Sequence, residues 1–189
     1  MVKTAHPKPL STKDRLIRAA AVLFRQRGYH AVGLSELLAA AQAPKGSLYH
    51  HFPNGKPDLA MAAATWAGDQ MLRLIAASFE EANTFNDGFA TFCHKLAKFF
   101  DKSESTDGCP VGRALLDGPA NPEFREMARH ILDGWITEAE GYAIQFGATP
   151  EEAHRKAELF LMLLEGGWVL ARARGSSDVI RALPGQLPD

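Results

Sequence analysis

Residues 34–52 read LSELLAAAQAPKGSLYHHF, and this stretch decides the fold. Leu34, Leu37, Leu38 and Ala41 fall on one face of a helix, which predicts a short amphipathic helix over residues 34–41. Because proline at the first position of a helix needs no amide donor, Pro44 predicts the start of a second helix over residues 44–50. Two short helices joined by a tight turn form a helix-turn-helix.

The second helix of this pair turns only Leu48 toward the core. Its outward residues are polar or small: Lys45, Gly46, Ser47, Tyr49 and His50. In a helix-turn-helix, the second helix enters the major groove of DNA. There a lysine meets phosphates, hydroxyl and imidazole groups supply hydrogen bonds, and a glycine lets the backbone approach closely. The alternative is a plain helical hairpin with a solvated face.

The distribution of charge favours DNA binding. Residues 1–56 hold nine lysines and arginines against Asp14 and Glu36, a net charge of +7, so the remainder carries −8 in a chain of net charge −1. A basic module attached to an acidic one indicates a polyanionic partner for the first. A chance cluster of solvated lysines and arginines would give the same count, so the inference rests on charge and helix pattern together.

At these residues the sequence resembles a known family. The run from RLIRAAAVLFRQRGYHAVGLSELLAAA through APKGSLYHHFPNGKPDLA is similar to the tetracycline-repressor (TetR) family of regulators. The resemblance implies an all-helical dimer with an N-terminal three-helix DNA-binding domain and a divergent C-terminal domain for ligand binding and dimerisation. It also implies which positions contact operator DNA: Ser35, Lys45, Gly46, Ser47, Tyr49, His50 and Lys56.

Two positions depart from the family pattern. Gln42 stands where the family usually has the turn glycine, and Gly33 stands where a capping serine or threonine is usual. A left-handed backbone at Gln42 would cost on the order of 1 kcal/mol. The missing cap at Gly33 is expected to loosen the second helix without changing the fold.

The fold class predicted for the whole chain is all-α, with an N-terminal three-helix bundle and a larger helical C-terminal domain. We expect residues 1–56 to hold a flexible basic arm (residues 1–10) and the DNA-binding domain, and residues 57–189 to form the ligand-binding and dimerisation domain. The predicted helices cover residues 12–27, 34–41, 44–50, 58–81, 85–100, the segments from Asn121 to Gly147 and from Thr149 to Gly175, and residues 177–183.

The helix after Thr149 is apolar nearly all round, so it must be covered on more than one side. We expect its own domain to cover one side and a second copy of the chain the other, although a central helix of a monomer would look the same. GCPVGRALLDG and LLEGGWVLARARGSSDVI resemble the branch of the family that controls multidrug exporters and flavonoid-responsive genes.

That second resemblance suggests a flat, apolar small molecule as effector. The predicted pocket residues are aromatic and apolar side chains with one carboxylate as a polar anchor: Trp66, Phe89, Phe92, Trp135, Met162, Glu165 and Trp168. All of them could equally be core, and a stripe of five large apolar groups such as that around Phe89 and Phe92 is more often core than ligand pocket.

Other chemistry finds little support. No HxxxH or CxxC spacing, nucleophile elbow, P-loop or dinucleotide fingerprint occurs, so no metal, cofactor or catalytic residue is predicted. Cys93 and Cys109 suggest reduced thiols, although Cys109 in its Gly-Pro loop could also sense redox change or electrophiles. The chain has neither a secretory signal nor an apolar run long enough to span a membrane, which favours the cytoplasm.

The function expected is that of a ligand-responsive transcriptional regulator, most simply a repressor. It would bind palindromic double-stranded operator DNA as a homodimer through its C-terminal helices, and a small apolar or aromatic effector would release it. Two alternatives remain open. One is a helical DNA-binding protein without a small-molecule effector, and the other is a helical enzyme or ligand carrier.

Overall fold

The fold is that of a computed structural model, which describes residues 9–103, 106–118 and 120–187. Eight α-helices follow one another in these residues, and no strand is present among them. They are α1 (Thr12–Arg27), α2 (Leu34–Ala40), α3 (Ser47–His51), α4 (Lys56–Phe79), α5 (Phe85–Lys102), α6 (Pro122–Gln145), α7 (Pro150–Arg174) and α8 (Asp178–Ala182). A π-helical segment, Gly112–Leu116, precedes α6, and a 3-10 turn, Leu183–Gln186, follows α8.

The all-α fold class is confirmed, with an N-terminal helix-turn-helix unit and a helical C-terminal part. The predicted arm lies almost entirely in residues 1–8, outside the described residues. The boundary expected at residues 56 and 57 remains a prediction, since α4 begins at Lys56 and packs against α1 as well as against α5 and α6.

Local sequence explains most helix ends. Ser11, Thr84, Asn121 and Thr149 cap α1, α5, α6 and α7, each accepting a hydrogen bond from a backbone amide in the first turn. Thr149 and Glu152 form a reciprocal capping box at α7. α3 begins at Ser47, later than the predicted Pro44, because the Ser47 amide donates to the Pro44 carbonyl across a tight turn (3.0 Å).

The core runs without interruption from the helix-turn-helix through the rest of the molecule. α1 packs on α4, and α4 packs in turn on α5 and α6, so α4 joins the two parts of the chain. α6 and α7 form the most extensive helix pair of the C-terminal part. At the crossing of α4 and α6, the buried Trp135 indole donates to the Gly68 carbonyl over 3.2 Å.

α7 has two apolar sides, as the sequence predicted. Its buried side faces the core through Phe160, Leu164 and Trp168. The opposite side exposes Met162, Val169 and Leu170, which are 62%, 63% and 46% exposed. Within the described residues, no helix is both long and apolar enough to cross a membrane.

Candidate nucleic-acid interface and ligand cavity

The turn between α2 and α3 is held by an arginine from α1. Arg15 Nε donates to the Ala41 carbonyl over 2.9 Å, and Arg15 Nη2 donates to the Gln42 carbonyl over 3.1 Å. Gln42 has a φ of 48°, the left-handed conformation considered for it from the sequence. Charge-assisted hydrogen bonds to these carbonyls offset the strain of a left-handed glutamine. The turn therefore depends on a residue that lies 26 positions earlier in the chain.

Most of the predicted contact residues are exposed on this unit. Ser35, Lys45, Gly46, Tyr49 and His50 are all exposed. Ser35 from α2 and Lys45 from the turn line one shallow depression. A side chain at Gly46 would meet no atom within 4 Å, so this backbone lies open to any partner that approaches. The Ser47 hydroxyl, in contrast, donates to the Pro44 carbonyl over 2.6 Å.

Tyr49 is exposed to solvent, but one face of its ring packs against the protein. Its side chain is 57% exposed, yet its ring packs against the backbone at Gly55, where a Cβ would lie only 3.2 Å from Tyr49 Cε1. Gly55 has a φ of +73°, which also favours glycine. Because Gly55 has no side chain, the Tyr49 ring can pack directly on its backbone, and this contact restricts the orientation of the exposed phenol.

Lys56 is placed differently from the other predicted contacts. It is the first residue of α4, and its ammonium lies 4.3 Å from the centre of the Tyr29 ring. Partial burial lowers the pKa of Lys56. Its charge therefore lies beside the unit rather than on the outer face of α3.

Several basic residues counted in the sequence have structural partners. Arg15 binds the turn, Arg27 pairs with Glu36 of α2, and Arg25 lies 3.0 Å from Asp107 (Nε to Oδ2). Sequence reasoning missed the roles of Arg15 and Arg25, because a long basic side chain shows its partner only once the chain is folded.

A cavity of about 380 Å³ opens where α1 meets α4 and α5. Trp66 and Trp168 line it, so the structure brings together two of the predicted pocket residues. The other walls include Met71 and Phe100, together with the polar groups of Arg25 and Asp107. The cavity is mainly apolar with few polar groups, which is typical of small-molecule sites.

The remaining predicted pocket residues lie elsewhere. Phe89 and Phe92 are fully buried and pack against Phe160, with ring centres 5.0 and 5.1 Å from it. Trp135 is buried at the crossing of α4 and α6. Met162 is exposed on the outer side of α7. None of these side chains lines the cavity between α1, α4 and α5, and their assignment to an effector remains a prediction.

Glu165 does not line that cavity either; its carboxyl is hydrogen bonded to the Cys109 thiol. Burial raises the pKa of Glu165, and it raises the pKa of Cys109 far above that of an ordinary thiol. The Cys93 pKa is raised to about 12 by burial. Both cysteines therefore have the environment of buried neutral thiols. Among the described residues, no group of three or more histidine, cysteine or acidic side chains is arranged to hold a metal ion.

Comparison with known proteins identifies both parts of the chain. Residues 16–63 match the family model for bacterial regulatory proteins of the tetR family. Residues 86–186 match the model for the C-terminal domain of LmrA/YxaF-like transcriptional regulators. The chain is 32% identical to the uncharacterised HTH-type transcriptional regulator YxaF of Bacillus subtilis, over 94% of this chain and 93% of that protein. It is 28% identical to the HTH-type transcriptional regulator LmrA of Bacillus subtilis, over 94% and 95% of the two chains.

Solved structures share the fold. A TetR transcriptional regulator from Legionella pneumophila superposes with a TM-score of 0.82 at 22% identity, covering 95% of this chain and 97% of that one. A cysteine mutant of the TetR family regulator CifR, complexed with 26 bp operator DNA, superposes with a TM-score of 0.77 at 24% identity, covering 96% and 97%.

Proposed function

Because the chain belongs to the TetR family of DNA-binding transcriptional regulators, we propose that it is a homodimeric repressor, released from a palindromic operator by a small apolar or aromatic effector. In this proposal residues 1–56 read DNA, and residues 57–189 bind the effector and dimerise. Membership of this family identifies a regulator rather than an enzyme.

The observation that carries the DNA-reading proposal is the shared outer face of α2 and α3. Lys45 supplies a charge for phosphate, and Tyr49 and His50 supply hydrogen-bond groups beside it. Gly46 leaves the backbone open to close approach. Ser35 adds a hydroxyl from the neighbouring helix, while Ser47 and Lys56 complete the proposed contact set.

The dimer proposal rests on the exposed side of α7. In a single chain, three large apolar side chains on this side are exposed to water: Met162, Val169 and Leu170. Large apolar groups exposed on one side of a helix favour an interaction surface there. A two-fold dimer would place two α3 helices at neighbouring major grooves, about one helical turn of DNA apart.

The release mechanism is a shift between two states. α4 packs on α1 at one end and lines the cavity along its middle, so a ligand that moves α4 would change the spacing of the two DNA-reading units. The effector must bind the DNA-incompetent state more tightly, since equal affinity for both states shifts nothing. A regulator that lacks a small-molecule effector would instead keep the same operator affinity with any ligand.

Selection of bound fragments from random duplex DNA tests the proposal. The native protein is expected to recover a two-fold symmetric site, and Tyr49→Ala is expected to lose it at the same salt, because phosphate contacts make affinity depend on salt. Ile144→Ala is the control, since Ile144 is a large side chain of α6 that is 48% exposed, and its removal should leave the selected site unchanged. If Tyr49→Ala still selects the symmetric site, α3 is not the helix that reads the sequence. If the native protein selects no specific site, the proposed repressor function is contradicted.

A further inference from the structure

The turn between α2 and α3 carries a glutamine where the backbone favours glycine. Gln42 has a φ of 48°, a conformation that glycine adopts freely and other residues adopt only with strain. Its backbone amide donates to the Ala39 carbonyl over 3.0 Å, and its carbonyl accepts from Arg15 Nη2 over 3.1 Å. The turn therefore uses the backbone of Gln42 and not its side chain.

The side-chain amide of Gln42 has no partner within the protein. The side chain is exposed, and in the described part of the chain its amide group makes no hydrogen bond. A primary amide holds an N–H donor next to a carbonyl acceptor. A partner that presents an acceptor next to a donor can therefore form two hydrogen bonds with Gln42 at once.

Gln42 lies beside two of the residues proposed to contact DNA. One shallow depression is lined by these two polar residues, by Gln42 and by three apolar side chains: Ser35, Lys45, Gln42, Leu38, Ala39 and Ala43. Of the apolar three, Ala39 is exposed, and Leu38 and Ala43 are partly buried. The depression thus combines a positive charge, an unpaired amide and small apolar groups on one surface.

This combination matches an A·T base pair in the major groove. Adenine presents the N7 acceptor next to the N6 donor, and a glutamine amide can bind both. Thymine presents a C5-methyl group, which packs against small apolar side chains such as Ala39 and Ala43. Guanine presents two acceptors instead, so it would leave the carbonyl of the Gln42 amide without a donor.

We propose that Gln42 is a specificity-determining residue, which binds N6 and N7 of the adenine of one A·T base pair in each half of the operator. The inference rests on the proposed function and adds a base contact that comes from the turn before α3. Lys45 would bind a phosphate nearby, and Ala39 and Ala43 would pack against the thymine methyl group. Because a two-fold dimer presents two such turns, the A·T preference should occur at two symmetric positions.

Gln42→Gly tests this contact by removing the side chain alone. Glycine adopts a positive φ without strain, so the midpoint of thermal unfolding should be no lower than that of the native protein. In selection from random duplex DNA, we expect the variant to recover the native symmetric site without the A·T preference at one symmetric pair of positions. Gln145→Gly, at an exposed glutamine that ends α6, is the matched control and should select the native site.

A base analogue tests the atoms of the contact. 7-Deazaadenine lacks the N7 acceptor but still pairs with thymine. At fixed salt, placing it at the two symmetric adenines should weaken binding of the native protein about tenfold and that of Gln42→Gly by about twofold or less.

Three results would overturn the inference. They are native base preferences at every position in Gln42→Gly, a loss of affinity in this variant that is the same for every base pair at these positions, and an equal effect of 7-deazaadenine on the two proteins. The first two leave the native protein with a symmetric site, so the proposed function would stand without this contact. If the native protein itself selects no symmetric site, both the inference and the proposed function fail.

Discussion

Arg15 is the residue on which the geometry of the DNA-reading unit depends. It lies on α1, yet its side chain donates hydrogen bonds to the carbonyls of Ala41 and Gln42, in the turn between α2 and α3. These bonds fix the direction in which the chain leaves α2 and enters α3. The backbone of Gln42, with its positive φ, is held from outside rather than by a glycine of its own.

We expect Arg15→Ala to lower the free energy of unfolding by about 2 kcal/mol, because two charge-assisted hydrogen bonds to backbone carbonyls are lost. Urea denaturation followed by circular dichroism measures the change. Arg155→Ala is the matched control, since its ion pair with Glu151 (2.7 Å) is solvent-exposed and such pairs contribute little. Equal effects of the two substitutions would show that Arg15 does not hold the turn.

Residues with local roles could be predicted from the sequence. Gly28 ends α1 with a φ of 80°, Gly33 begins α2 without a side-chain cap, and Gln42 adopts the left-handed conformation considered for it. Each of these conformations is indicated by the position of the residue at a helix end or turn, although the Arg15 hydrogen bonds that hold Gln42 come from α1. The partners of Arg15 and Arg25 could not be predicted, because they lie on segments that only the fold brings close.

At the scale of elements, the crossing of α4 and α6 shows how tightly the helices pack. A Cβ added at Gly68 would lie 2.6 Å from Ile131 Cγ2 of α6. The Gly68 carbonyl also accepts the buried Trp135 N–H, so the two helices cannot separate easily. Because α4 also packs on α1, this crossing sets the position from which the DNA-reading unit extends.

Gly68→Ala is therefore expected to lower the free energy of unfolding by about 1–2 kcal/mol, although alanine is the better helix former. Gly134→Ala, on α6, is the matched control. A Cβ at Gly134 meets no atom within 4 Å, so this change should raise stability by about 0.5–1 kcal/mol. Thermal unfolding of both variants gives the two signs, and stabilisation by Gly68→Ala would contradict the close packing described here.

Helix existence was easier to predict than helix contacts. The sequence predicts the bounds of α1 to the residue and those of α2 and α4 to within two residues. Apolar spacing indicates all three helices, with a serine cap at the start of α1 and a proline in the first turn of α4. The pocket residues were harder. Trp66, Phe89, Phe92, Trp135 and Trp168 all have apolar side chains at helical spacing, and which of them faces a cavity depends on packing between helices.

At the scale of the whole molecule, the exposed apolar side of α7 is the surface best suited to a second copy of the chain. Val169 is the most exposed of its three large apolar residues. A charge placed there would have to be buried, unpaired, in a dimer.

Val169→Arg is accordingly expected to convert the dimer to monomer, as measured by sedimentation equilibrium, while circular dichroism remains that of the native chain. Val22→Arg introduces the same change at a 40% exposed valine of α1 and should leave the dimer intact. The proposal that α7 forms the dimer surface would be contradicted if the native protein sediments as a monomer or if Val169→Arg remains dimeric.

The central claim is that the outer face of α2 and α3 reads DNA, and the salt dependence of binding tests it most directly. Affinity for a selected duplex would be measured across a series of KCl concentrations for the native protein, Lys45→Ala and Lys98→Ala. Lys98 is an exposed lysine of α5, so both substitutions remove one equal charge. We predict that Lys45→Ala weakens binding and reduces the slope of log affinity against log salt by about one, while Lys98→Ala leaves the slope unchanged. A native slope in Lys45→Ala, or the same reduction in both variants, would contradict the claim.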